Sequence, residues 1–234
     1  MPEALKTTGR PDGVDHAKLE RSLRAHVSQH DFPCVGAKSA LATGKLNIVT
    51  GWSLTSAWDD VAIHHQLLDW SQQYLRDPGG LRSLAVVFSG PVDLDEAAFE
   101  KAMWERLQSL TDKDGWRGQP YNPDVSSDPG DPHFSLSFGT QAYFVVGLHP
   151  NASRQARRAP YPTLVFNLHD QFERLREEQK YERMRKTILK RDEQLDGSIN
   201  PMLARHGEAS EARQYSGRKV DADWQCPFSD PRTR

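Results

Sequence analysis

Cysteine is scarce in this sequence: the chain holds two, Cys34 and Cys226, near opposite ends. No Cys-x-x-Cys pair occurs, which excludes zinc fingers and ribbons as well as the covalent attachment motif of c-type heme. A disulfide between the two is not expected in a reducing compartment. An excess of either charge is missing too. Lys and Arg number 30 against 32 Asp and Glu, a formal net charge of −2, so the basic footprint of a nucleic-acid binder is absent. No apolar run is long enough to span a bilayer, and the polar stretch from Met1 to Gly13 does not read as a secretory leader; no membrane partner and a cytoplasmic location are expected. A Gly-rich dinucleotide fingerprint is also lacking, so any reducing equivalents would have to come from a separate protein. Internal repeats and low-complexity tracts are not seen.

What is present reads as a flexible arm over residues 1–14 followed by a single domain over 15–234, long enough for a full core. Leu19, Leu23 and Val27 recur every four residues and predict a helix over 15–28. A short helix is expected after Cys34, a strand over 46–50, a helix over 61–76, and a buried strand over the unbroken apolar run 84–88. A helix over 96–110 follows, then a loop over 112–132 rich in Gly, Pro, Asp, Asn and Ser. Such a loop is either a functional lid or a surface excursion. Alternation over 134–138 and a β-prone run over 142–148 predict a hairpin, 163–166 another strand, and 170–195 one long charged helix. This order argues an α+β domain, an antiparallel sheet with helices packed on one face and ferredoxin-like elements. The residues after Gly197 keep Met202, Tyr215, Trp224 and Phe228 among Gly, Asn, Pro, Arg and Ser, which predicts an irregular C-terminal wrap around a site.

Two stretches carry candidate chemistry. In Phe32-Pro33-Cys34-Val35-Gly36-Ala37, a cysteine stands on a Pro-led turn at the start of a predicted helix, where free N–H groups and the positive end of the dipole lower a thiol pKa. Gly36 removes bulk where a flat ligand could approach. Locally this pattern resembles the cysteine-ligand loop of heme-thiolate oxygenases such as cytochromes P450, although the rest of the chain does not. The alternative is a small buried hydrophobe capping a helix. In the second stretch, His149 at a strand end is followed by Arg154, Arg157 and Arg158, an arginine-rich rim suited to carboxylates or phosphates, or else a plain surface turn. His64 and His65 have no partner at metal-ligand spacing and read as solvated or capping groups.

The blocks Phe32-Pro33-Cys34 with Gly36-Ala37, Val145-Val146-Gly147-Leu148-His149-Pro150 with Arg154, Arg157 and Arg158, Gln171-Phe172-Glu173, Asn200-Pro201-Met202-Leu203, Ser210-Glu211-Ala212, Tyr215-Ser216-Gly217-Arg218 and Cys226-Pro227-Phe228 together resemble the YqcI/YcgG family from Phe32 to Phe228. The resemblance implies a heme-dependent monooxygenase that N-hydroxylates the guanidine of L-arginine or a close analogue in natural-product biosynthesis. It implies heme b, O2 as co-substrate, a small guanidine-bearing amino acid as substrate and an external electron donor, a ferredoxin or a flavoprotein reductase, or else peroxide. Cys34 is the first choice of axial ligand, because a thiolate pushes electron density that favours O–O cleavage. His149 is the second and Cys226 the third. Under this reading Arg154, Arg157, Arg158 and Arg218 meet heme propionates or the substrate carboxylate, and Glu211 the guanidinium. A non-catalytic heme carrier with the same pocket and a cofactor-free binding module are the competing readings.

Overall fold

Strand β2 (Ser83–Gly90) is buried at each of its first six positions, and the architecture follows from that. A strand that is apolar on both faces needs cover on both faces. In the computed structural model, which describes residues 13–202 and 208–233, β2 lies inside a five-stranded sheet of order β1-β2-β5-β4-β3. The flanking strands are β1 (Leu46–Ser53), β3 (Leu136–Phe138), β4 (Gln141–Leu148) and β5 (Thr163–Leu168). β1 runs parallel to β2, with Leu46 opposite Ser83 and Gly51 opposite Phe88; every other pairing is antiparallel. The parallel step is made by helix α3 (Asp60–Arg76), as a parallel connection requires a crossover.

Leu84, Val86 and Phe88 face the larger core with Tyr143, Val145 and Phe166, under α3 and α4 (Glu96–Trp116). Ala85 and Val87 face the smaller core under α1 (His16–Ser28) and α2 (Val35–Ala42), which Leu19, Leu23 and Val27 fill. The α+β class and the mostly antiparallel sheet agree with the sequence expectation. The helices stand on both faces rather than one, and the parallel β1–β2 pair departs from a ferredoxin-like order; the unbroken apolar run of β2 is the reason for the first.

Three further boundaries differ. Helix α4 runs on to Trp116 because Leu110, Thr111 and Asp114 continue its buried face. The loop after it is pinned to the sheet by Asn122, whose N–H donates to Ser137 Oγ at 2.9 Å and whose Nδ2 donates to Thr140 O at 2.8 Å. The expected long helix is two, α5 (His169–Glu177) and α6 (Tyr181–Asp196), separated where Gln179 adopts φ +56°, a left-handed conformation that no helix interior accepts. The expected arm falls almost wholly on residues 1–12, outside the described residues, as does Leu203.

The C-terminal wrap is ordered by polar anchors. Arg232 Nη1 donates to Asp114 Oδ2 at 2.9 Å and its Nη2 to Asp230 Oδ2 at 2.6 Å, while Asp114 Oδ1 also contacts His64 Nε2 at 2.8 Å. His64 is thereby assigned to a buried clasp. A second anchor is Glu100 on α4, which accepts Arg218 Nη2 (2.7 Å) and Nε (3.0 Å), Ser216 Oγ (2.8 Å) and Trp224 Nε1 (3.0 Å). Burial pushes this carboxyl up, but the bonds from Arg218, Ser216 and Trp224 outweigh it and hold the group below the usual carboxylate range. Because the folded-state value lies below the unfolded one, its contribution is complete above the ordinary carboxylate range and is lost as pH falls through the folded value. Glu100→Gln is therefore expected to lower stability at neutral pH and to flatten the acid limb of a chemical-denaturation pH series; parallel acid limbs would contradict this.

Candidate functional site

Pro33 and Cys34 close the turn into α2, and Cys34 is its N-cap, with extended backbone (φ −74°, ψ 103°) and Sγ accepting the Ala37 N–H at 3.4 Å. Its sulfur opens on a cavity of about 230 Å³. The floor is the outer face of the sheet, with Phe144 and Val146 of β4 and Asn167 of β5; the cover is α6, through Met184, Ile188 and Leu189, with Phe172 of α5 at the side. A Cβ built on Gly36 would stand 3.9 Å from Cys34 Sγ and 4.0 Å from Leu81 Cδ1, so the chain's own atoms leave room beside the sulfur.

The polar lining is cationic on one side. Arg82 Nη2 is engaged by Asp77 Oδ2 at 3.1 Å and Gly79 O at 2.7 Å. Arg176 pairs with Glu173 and lies 4.5 Å over the Tyr181 ring, and Arg185 makes no hydrogen bond or ion pair among the described residues. His169 contacts Ser135 Oγ at 3.1 Å and Glu173 Oε1 at 3.0 Å. Glu211 and Gln214 reach the cavity from a 3₁₀ turn, Glu211–Gln214. The thiol of Cys34 does not follow the sequence expectation. Burial pushes it up from its ordinary value, against the smaller lowering effects of the Ala37 and Gly36 N–H groups and of the Arg157 charge.

Of the residues expected from sequence, the cavity brings together Cys34 and Glu211. His149 lies elsewhere: its ring is 1% exposed and stacks on Phe99 at 4.2 Å between centroids, and burial lowers its pKa. The three arginines after it are spent on the fold. Arg154 Nη2 pairs with Asp192 Oδ2 at 2.8 Å and Asp196 Oδ2 at 3.5 Å, tying down the end of α6. Arg157 Nη1 donates to Gly147 O (3.1 Å) and Tyr215 O (3.2 Å), and its Nη2 to Gln214 O (2.9 Å). Gly217, at φ +83°, lets the chain pass against its stem, since a Cβ there would meet Arg157 Cγ at 3.0 Å. Arg158 Nε donates to Ala152 O at 2.7 Å, and Arg218 is held by Glu100. Cys226 lies beside Trp224 in a separate groove, its thiol raised to about 12 by burial. The loop after α4 contributes nothing to the cavity lining.

Sequence reasoning marked the stretch around Gln214 as one whose polar groups could meet a small polar ligand, but missed Asn167, Gln171 and the cations Arg82, Arg176 and Arg185 as site residues. Asn167 carried a readable signal, a polar residue on a strand whose neighbours are apolar. Gln171 stood inside one of the blocks that carry the family resemblance.

Among the described residues no cluster of three or more His, Cys, Asp or Glu is arranged to hold a bare metal ion, and no helix is long and apolar enough to cross a membrane. The YqcI/YcgG family profile matches residues 23–229. No curated protein and no solved structure matches the chain.

Proposed function

This chain belongs to the YqcI/YcgG family, and from that premise we propose that it is a heme-dependent monooxygenase that N-hydroxylates the guanidine of L-arginine or a close analogue. The observation that carries the reading is Cys34, the one thiol in the lining of a largely apolar cavity among the described residues, placed at a helix N-terminus. What supports heme b is the kind of groups present, not the volume: the Cys34 thiol for the iron, apolar surfaces on the sheet and on α6 for the macrocycle, and Arg176 and Arg185 for the propionates. The void is smaller than the roughly 300–1,000 Å³ of ordinary small-molecule sites, so binding calls for the half-buried side chains of α6 to turn outward.

The cofactor supplies activation of O2. In the overall reaction one N–H becomes N–OH, the second oxygen atom leaves as water, two electrons come from the external donor and two protons from the solvent. The chain's own part is to hold the iron through Cys34, to exclude water with Phe144, Val146, Phe172 and Ile188, and to place the guanidine within reach of Glu211. The test is aerobic turnover of the hemin-loaded chain with L-arginine and a ferredoxin–reductase pair, read by mass spectrometry. Arginine gaining one oxygen atom supports the proposal; stable heme with no oxidised guanidine would make the chain a heme carrier.

A further inference from the structure

A 3₁₀ turn has three residues per turn, so side chains three apart eclipse, which explains how Glu211 and Gln214 both reach the cavity from one short turn. Gln214 is 7% exposed. Its carbonyl is gripped by Arg157 Nη2 at 2.9 Å, which fixes the backbone, while its carboxamide makes no hydrogen bond among the described residues. Gln171, on α5, is 5% exposed and uses its Oε1 to accept the Arg82 N–H at 2.9 Å. That bond orients the amide and leaves Nε2 without a partner among the described residues. Asn167 accepts Ser83 Oγ at 2.6 Å, and its Nδ2 reaches only Val165 O at 3.4 Å. Buried carboxamides are ordinarily satisfied, and here two of them, Gln171 and Gln214, line one cavity with hydrogen-bonding capacity unspent, beside the half-buried Asn167, whose amide oxygen and nitrogen each have one partner.

We propose that Gln214 and Gln171, with Asn167 on the sheet floor, form a neutral carboxamide cradle that reads the planar nitrogen head of a guanidine or ureido group. The proposal rests on the guanidine-oxidising function above and names the residues that select its substrate. Carboxamides present donors and acceptors together, matching the edges of such a head. Their neutrality has a chemical consequence. A second carboxylate in the place of Gln214, beside Glu211, would hold the guanidinium more firmly in its protonated form, whereas an amide adds hydrogen bonds without further opposing loss of the proton that oxidation at nitrogen requires.

The test is calorimetric titration of L-arginine and L-citrulline into the full chain, with and without hemin, for the wild type, Gln214→Leu, Gln171→Leu and Gln214→Glu. Each leucine variant is expected to weaken both ligands by about tenfold or more, in the hemin-free chain as well as in the hemin-loaded one. Gln214→Glu is expected to raise the preference for arginine over citrulline by about tenfold or more and to slow turnover at saturating arginine. Unchanged affinities in the leucine variants, an unchanged preference in Gln214→Glu, or a wild-type chain that binds neither ligand would overturn the proposal. Should Gln214→Leu fail to fold, Gln171→Leu and Gln214→Glu decide it. A chain that takes up no hemin but binds arginine through Gln214 would defeat the oxygenase reading and leave the cradle standing.

Discussion

Cys34→Ala is expected to lower guanidine oxidation by about a thousandfold or more, equivalent to about 4 kcal/mol of lost transition-state stabilisation, and to remove the thiolate-type ferrous–CO spectrum. The fold should survive. What the substitution takes from the structure is one long cap contact, Sγ to the Ala37 N–H at 3.4 Å, and the loss of a cap costs about 0.5–2 kcal/mol. Cys34→Ser separates the two roles, because a hydroxyl restores the cap but is a poor ligand for heme iron. The serine variant should melt like the wild type and lack the thiolate spectrum. A thiolate spectrum retained in Cys34→Ala would point to Cys226, and loss of heme in His149→Ala with Cys34→Ala unaffected would point to His149 in spite of its place against Phe99.

Arg157→Ala is expected to destabilise the fold by about 3–5 kcal/mol, the usual cost of removing one partner from a buried charged network, and to lower the melting temperature by about 10 °C. The guanidinium is the shared donor for Gly147 O, Tyr215 O and Gln214 O, and the first two belong to a staple in which the Gly147 N–H donates to Tyr215 O at 2.7 Å. Its removal leaves carbonyls of β4 and of the C-terminal wrap without that donor at once. Arg157→Lys should recover only part of the loss, since a point charge lacks the planar fork that spans separate carbonyls. Melting unchanged in Arg157→Ala, together with lost hemin uptake, would return this arginine to the ligand.

The same two residues show what a sequence discloses. The place of Cys34 at the start of α2 was legible because its signals are local: a proline, a cap position, a glycine and the start of an apolar helix lie within five residues; the burial that raises its thiol pKa was not. Arg157 was misjudged because its partners are remote, a carbonyl ten residues away and two more near residue 215, and arginine density looks the same whether it faces a ligand or a cage of backbone carbonyls. The strands were readable from alternation and apolar runs, yet the parallel pairing of β1 with β2 depends on where α3 packs, which no periodicity states. Burial of β2 on both faces was written in its composition, and an expectation of helices on one face passed over it. The carboxamide of Gln171 was silent, because a glutamine on a charged helix carries no pattern of its own, and that of Gln214 was legible only as one polar group in an unusual tail; the cavity between them gives both their meaning.

Absorption titration of the purified, metal-free chain with hemin, followed by reduction and exposure to CO, tests the central claim most directly. The account predicts saturation at one hemin per chain and a thiolate-type ferrous–CO spectrum that is absent in Cys34→Ala. A chain that takes up no hemin, or a histidine-type spectrum unchanged in Cys34→Ala, would contradict it.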